Sequence, residues 1–215
     1  MIGQSITRNS ILLGLFAIVT GTLLAGSYLL TKDRIAEEIR KAEEKALLQI
    51  IPRARHDNSM LDDTVPVGTE PTELGLRTDK TIYLAKQGQS VVAAIIPATA
   101  RDGYSGDIDL IVGVNADGSV AGVRTLSHKE TPGLGDKVDL AKSDWILSFN
   151  GKSLSSPQAS GWAVKKDKGQ FDSFTGATIT PRAVVVATRK VLEYAAANAE
   201  TLYGTPPSNS QAGVQ

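Results

Sequence analysis

The chain has 215 residues, with 23 Lys+Arg balanced by 23 Asp+Glu, no cysteine and two histidines, His56 and His128. Zero net charge argues against a nucleic-acid-binding protein, which carries a basic excess or stripe. The missing cysteines exclude disulfides, thiolate nucleophiles and cysteine-ligated zinc or iron–sulfur clusters, and two histidines exclude a His-rich metal site, so redox chemistry here needs an organic cofactor.

Ile11 to Leu30 contains no charged residue and is mostly apolar. At about 1.5 Å per residue such a helix spans roughly 30 Å, the thickness of a bilayer core. The rival reading is a cleaved signal peptide, because Ala25-Gly26-Ser27 resembles a small-residue cleavage site; Ser27 stands where a lipoprotein signal has cysteine. The length of the run favours an uncleaved anchor over residues 1–31, with a short stub inside and the remainder outside. Thr31 to Ile51 predicts an amphipathic helix with Ile35, Ile39, Ala42, Ala46 and Ile50 on one stripe and a Glu37/Lys41 pair on the other face, stopped by Pro52. Residues 53–79 read as an irregular linker or loosely packed lead-in with a solvated His56, so 32–79 form the helix and linker segment.

A folded domain is expected over 80–205. Thr81 to Ala85, Val91 to Ile96, Ile108 to Val114 and Ser119 to Leu126 are apolar runs separated by Gln87-Gly88-Gln89, Gly103-Tyr104-Ser105-Gly106 and Asn115-Ala116-Asp117-Gly118, a pattern that predicts antiparallel hairpins. A short helix is expected over 138–147 and a strand at Gly161-Trp162-Ala163-Val164, followed by a charged turn over Lys165 to Gly169. A helix from Pro181 to Tyr203 presents Val184, Val185, Ala187, Thr188, Val191, Leu192 and Ala195. Residues 206–215 are expected to form a disordered tail. Strands in runs with helices at the ends give the α+β class.

Two stretches carry candidate chemistry. Phe171 to Arg182 reads FDSFTGATITPR, with Thr180 expected as N-cap and Pro181 at the first helical position. Thr175 to Thr180 would then lie at a helix N-terminus whose unpaired N–H groups and dipole favour phosphate, with Gly176 and Ala177 permitting close approach. The alternative is an ordinary cap. The second stretch, Ser127 to Lys137, has no apolar periodicity. Glu130, Thr131, Gly133, Leu134 and Gly135 could meet a flat heterocycle, with Leu134 packing on a ring face; the alternative is a rigid turn with solvated His128 and Glu130.

Together these stretches resemble the RnfG family, the G component of the Rnf electron-transport complex. Its domain is shared with NqrC, the C component of the sodium-pumping NADH:quinone reductase. The family's Asp-x-x-(Ser/Thr)-Gly-Ala-Thr flavinylation pattern reads Asp172-Ser173-Phe174-Thr175-Gly176-Ala177-Thr178 here, and its Glu-Thr-Pro-Gly-Leu-Gly loop reads Glu130 to Gly135. The resemblance covers nearly the whole chain, and the Ser-His-Lys-Glu lead-in favours the Rnf branch. It implies an N-terminal transmembrane helix and an amphipathic helix, followed by an antiparallel-sheet FMN-binding domain with a C-terminal helix. It implies FMN joined to the Thr178 hydroxyl by a phosphoester, with Asp172 serving recognition by a flavin transferase or placement of its magnesium. Implied too are partner subunits of an ion-translocating ferredoxin:NAD oxidoreductase in the bacterial inner membrane, with the soluble domain on the periplasmic side. No catalytic acid–base pair, resident metal or nucleic acid is expected. The alternatives are the corresponding component of the quinone reductase and a non-redox adaptor or sensor built on the same fold.

Overall fold

The computed structural model describes residues 2–68 and 72–204. They divide into two compact units, residues 1–45 and 46–215; the expected tail over 206–215 lies outside the described residues.

The first unit consists of helix α1, which runs Ile2–Ile50 and ends within the second unit. The apolar segment and the amphipathic segment expected to continue it from Thr31 form one helix. Thr20, Thr22 and Thr31 return their hydroxyls to the carbonyls of Phe16, Ile18 and Ser27 at 2.8, 2.7 and 2.8 Å, the bond by which a threonine inside a helix satisfies its own donor. It is long and apolar enough to cross a membrane, with mean hydropathy 1.9 in its most apolar window. The Glu37/Lys41 pair forms at 2.9 Å, and Lys41 also meets Glu38 at 3.1 Å.

The second unit is a five-stranded antiparallel meander in the order β1 (Thr64–Pro66), β2 (Thr81–Gln87), β3 (Ser90–Ala100), β4 (Ile108–Asn115) and β5 (Val120–Ser127). The expected hairpin turns are present, with Gly88 at φ +62° and Gly118 at φ +81°. One sheet face contributes Leu84, Ala94, Ile96, Leu110, Val112 and Val114 to the main core beneath α2 (Ile179–Ala197). The other contributes Ala85, Ala93, Ile95 and Ile111 to a smaller core with Leu47, Ile50, Ile51 and Met60. Both faces are covered, which is why Val91 to Ile96 is a continuous apolar run rather than an alternating one. Ile50 seats against Gly113 and Gly122; a Cβ on Gly113 would lie 2.3 Å from its Cγ2. Arg124 donates through Nη2 to the Gln49 carbonyl at 3.0 Å, closing the C-terminal end of α1.

Several expectations are corrected. Residues 53–79 are not a loose linker: β1 joins the sheet, Leu74 and Leu76 enter the main core, and Asn58 binds the Leu84 carbonyl and the Lys86 N–H at 2.9 and 2.8 Å. His56 is buried, its Nδ1 2.9 Å from the Asn58 carbonyl. The helix expected over 138–147 is replaced by 3₁₀ turns at Gly135–Val138 and Asp144–Phe149. Asp139 and Ser143 take the N–H groups of Ala141 and Trp145 and so break the helical ladder. The strand expected at 161–164 is reduced to one bridge, Val164 to Phe171. There the backbone folds tightly on itself: a Cβ on Gly169 would lie 1.9 Å from the Ala163 carbonyl oxygen. The charged turn after it forms, with Lys168 left-handed.

The C-terminal helix buries every residue of its expected stripe. Asn198 separates α2 from α3 (Ala199–Tyr203), its N–H and side chain both bound to the Tyr194 carbonyl. The pairing of Ala100 with Ile108 and of Asp109 with Ser127 puts the β3–β4 connection and the end of β5 at the same end of the sheet.

Candidate functional site

Both candidate stretches are built on the same local device. In Thr131-Pro132-Gly133-Leu134 the Leu134 N–H donates to the Thr131 carbonyl at 3.1 Å, and Gly133 has φ +78°. In Phe174-Thr175-Gly176-Ala177 the Ala177 N–H donates to the Phe174 carbonyl at 3.1 Å, and Gly176 has φ +82°. Positive φ at the third turn position is the type II requirement for glycine, and proline suits the second. Gly133 and Gly176 are therefore needed for the turn itself, which is the physical reason for glycine at both.

The residues after these turns come together. A cleft of about 380 Å³ is lined by Glu130, Thr131, Leu134 and Gly135 from the loop, by Gly176, Ala177, Thr178, Ile179 and Thr180, and by Tyr104 from the β3–β4 connection. Thus Glu130, Thr131, Leu134, Gly135, Gly176, Ala177, Thr178 and Thr180 share one cavity. Gly133 and Thr175 are exposed outside its lining. Asp172 is exposed as well, pairing with Lys165 at 2.6 Å while its carbonyl accepts Trp145 Nε1 at 2.8 Å.

The three threonines sit in different environments. Thr175 occupies the exposed second position of its turn. Thr178, not Thr180, is the N-cap residue of α2, and its hydroxyl makes no capping bond. Thr180 is fully buried and donates to Glu130 Oε2 at 2.6 Å. The expected cap is thereby corrected: the helix starts at Ile179 with Thr178 at the cap position, and the Thr180 side chain turns inward to a carboxylate from the other stretch. Pro181 still lies in the first turn, where a missing N–H leaves no bond unmade.

Glu130 is buried rather than solvated. Its Oε1 accepts the Ser105 N–H at 2.9 Å, and its own N–H donates to His128 Nδ1 at 3.2 Å. His128 is therefore a hydrogen-bond acceptor for the loop backbone through Nδ1. At the start of α2, Arg182 forms a two-pronged pair with Asp167 at 2.6 and 2.9 Å, which holds the Asp167 carboxyl below its usual pKa.

Beneath the Phe171 to Phe174 segment lies an aromatic cluster. Phe149 stacks on Phe171 at 4.6 Å between ring centroids, and Trp145 meets Phe149 and Phe174 edge-on at 5.3 and 5.1 Å. Trp162 completes it beside Phe171 at 5.3 Å. These rings give the turn carrying Thr175 and Gly176 a rigid base.

Reading the sequence alone misses Tyr104, Ser105 and Ile179. Tyr104 (69 % exposed), Leu134 (42 %) and Ile179 (44 %) are large apolar side chains left open at the cleft. An aromatic ring in the glycine-flanked turn Gly103-Tyr104-Ser105-Gly106 is the signal that could have found the first of them. The cleft has the size of a small-molecule site. Its exposed apolar groups suit a flat heterocycle, and the N-terminus of α2 suits a phosphate, so the residues present fit a flavin mononucleotide.

Residues 103–193 match the FMN-binding domain family, and residues 1–50 match the RnfG N-terminal region. The chain is 51 % identical over 199 residues to the G subunit of the ion-translocating oxidoreductase complex of Pseudomonas aeruginosa (strain UCBPP-PA14), covering 93 % of this chain and 92 % of that one. It is 48 % identical over 200 residues to the G subunit from Pseudoalteromonas atlantica, covering 93 % of each chain. Against that of Vibrio cholerae (strain ATCC 39541) the identity is 43 % over 202 residues, covering 94 % and 96 %. The N-terminal match separates the chain from the quinone reductase branch. The chain belongs to the RnfG family, the G subunits of Rnf-type ion-translocating oxidoreductase complexes.

Proposed function

We propose that the chain is a membrane-anchored covalent flavoprotein that relays electrons within an Rnf-type ion-translocating complex, with FMN attached through a phosphoester to Thr178. The observation that carries the attachment site is the contrast among the three threonines. Thr178 lines the cleft with a hydroxyl that caps nothing, Thr175 is exposed outside the lining, and Thr180 is buried with its proton committed to Glu130.

Attachment joins the Thr178 oxygen to the FMN phosphorus of FAD; the bond to the AMP phosphate breaks, AMP leaves and the hydroxyl proton is lost. A separate flavin transferase with magnesium supplies this reaction, and Asp172 serves its recognition. Bound there, FMN would supply the reversible electron transfer. The backbone N–H groups opening α2 offset the phosphate charge, and Tyr104, Leu134 and Ile179 offer apolar surface to the ring system. A covalent tether keeps the effective concentration of the cofactor high in a domain outside the cytoplasm.

The proposed arrangement puts the anchor at 1–31 and continues it as a helix to residue 50; the FMN-binding domain takes in β1, Leu74 and Leu76 as well as the stretch from 80 onward, and lies on the periplasmic side of the inner membrane. The remaining subunits of the complex are its electron partners. The test is to express the full chain with and without a flavin transferase and to examine denatured samples under ultraviolet light. Transferase-dependent flavin fluorescence that persists on a denaturing gel supports the reading; a colourless chain after co-expression contradicts it.

A further inference from the structure

Glu130 ties its own loop to two other segments at the cleft. Its Oε1 accepts the Ser105 N–H of the β3–β4 connection at 2.9 Å, its Oε2 accepts the Thr180 hydroxyl of α2 at 2.6 Å, and its backbone N–H donates to His128 at 3.2 Å. Two glycines make room for the carboxylate. A Cβ on Gly135 would lie 2.7 Å from Oε2 and 2.9 Å from Thr180 Oγ1, and one on Gly103 would lie 2.9 Å from Oε1. Contacts under 3.0 Å at two places show that the space around this carboxylate has no slack. Both side-chain bonds end on the two oxygens of one buried carboxyl group. The side chain is also part of the cleft lining, between Tyr104 and the first turn of α2.

We infer that Glu130 is the positioning residue of the flavin site: its carboxylate latches the glycine loop to the β3–β4 connection and to the first turn of α2, and so fixes the walls of the cleft around Thr178. The inference rests on the proposed attachment of FMN at Thr178 for its functional meaning, while the latch itself is a property of the unmodified chain. Two consequences follow from the bonding. The Thr180 side chain, drawn inward by Oε2, is fully buried and so withdrawn from the surface that a transferase reaches. The loop carrying Leu134 is held against α2 before any cofactor arrives, so the cleft is formed in advance and the tethered ring meets fixed walls.

The test uses the full-length chain in detergent, in flavin-free and flavinylated forms, with Thr180→Val, Thr180→Ser, Glu130→Ala and Glu130→Gln. Thr180→Val keeps the volume of the buried side chain and removes only the donor; Thr180→Ser restores it. Glu130→Gln can still accept from Ser105 through its oxygen and donate to Thr180 through its amide. In the flavin-free chain, amide hydrogen exchange over residues 131–137 is expected to accelerate by about tenfold or more in Glu130→Ala and Thr180→Val. It stays near wild type in Thr180→Ser and Glu130→Gln. In the flavinylated chain, the visible circular dichroism of the flavin is expected to weaken several-fold in the first pair and to persist in the second, with the label intact by mass in all four.

Unchanged exchange and dichroism in Thr180→Val overturn the inference, and so does failure of Thr180→Ser to restore either. Should Glu130→Ala fail to fold, the Thr180 pair decides alone. Absence of any label in the wild-type chain contradicts the proposed function and leaves the exchange result standing, so the two failures are distinguishable.

Discussion

The Thr180 hydroxyl donates to Glu130 Oε2 at 2.6 Å, and this one bond joins two stretches fifty residues apart in sequence. It explains why Gly135 is glycine, since a Cβ there would lie 2.7 Å from Oε2 and 2.9 Å from Thr180 Oγ1. Around it the three neighbouring threonines lie in different environments, with Thr175 exposed, Thr178 at the cap position of α2 and Thr180 buried.

Gly133 and Gly135 are glycines for different physical reasons, and substitution separates them. Gly135→Ala drives a methyl group into the Glu130–Thr180 bond, at 2.7 and 2.9 Å from its two oxygens, and is expected to destabilise the domain by about 1–3 kcal/mol. Gly133→Ala meets open space and bears only the strain of φ +78°, about 1 kcal/mol. Urea unfolding of the detergent-solubilised chain measures both. Equal flavin dichroism in the two variants would contradict the separation, because only Gly135 abuts the latch.

Phe149 is fully buried and touches Trp145, Trp162 and Phe171. Phe149→Ala is expected to cost about 3–5 kcal/mol. Both tryptophans of the chain lie in this cluster, so their emission should shift to longer wavelength and their near-ultraviolet dichroism should weaken. An unchanged tryptophan spectrum would mean that the cluster does not depend on Phe149.

Much of this fold is legible in the sequence because its signals are local. Gly88 and Asp117-Gly118 mark the hairpin turns, and the stripe through Val184, Thr188, Val191 and Ala195 marks α2. What is not legible depends on distant partners. His56 and Asn58 carry no periodic signal, and only the sheet edge beside them turns a polar segment into a packed one. The helix expected over 138–147 fails because Asp139 and Ser143 bind local N–H groups, a competition that apolar spacing does not reveal. At the site, each glycine turn is readable from its own residues, whereas the Glu130–Thr180 bond, which joins residues fifty positions apart, has no local trace.

The chain should lose stability in acid through identifiable carboxylates. Asp63 is held below its usual pKa by Lys86 and Asn58, Asp117 by Ser119, and Asp167 by Arg182. A depressed folded pKa contributes stability that is fully present above the unfolded value, near about 4, and that is lost as pH falls through the folded value. All three are well solvated, so each contribution is small. The urea midpoint is expected to stay level from about pH 7 to 5 and to fall below about pH 4. Asp63→Asn should make that fall shallower, and an identical acid profile in this variant would contradict the assignment.

The absence of native cysteine makes topology directly testable. Gln89 is exposed in the turn between β2 and β3. The Gln89→Cys chain is expected to react with a membrane-impermeant maleimide in intact spheroplasts, while the chain remains in the membrane fraction after alkaline carbonate extraction. Labelling only after lysis would reverse the proposed orientation.

The most direct test of covalent attachment at Thr178 is peptide mass analysis of the full chain after co-expression with a flavin transferase, comparing wild type with Thr175→Ala and Thr178→Ala. The expected result is one FMN less one water on the peptide containing Thr178, retained in Thr175→Ala. Thr178→Ala is expected to lose the label completely, with little change in unfolding midpoint because the Thr178 hydroxyl caps nothing. A label that persists in Thr178→Ala, on Thr175, Thr180 or elsewhere, would contradict the assignment.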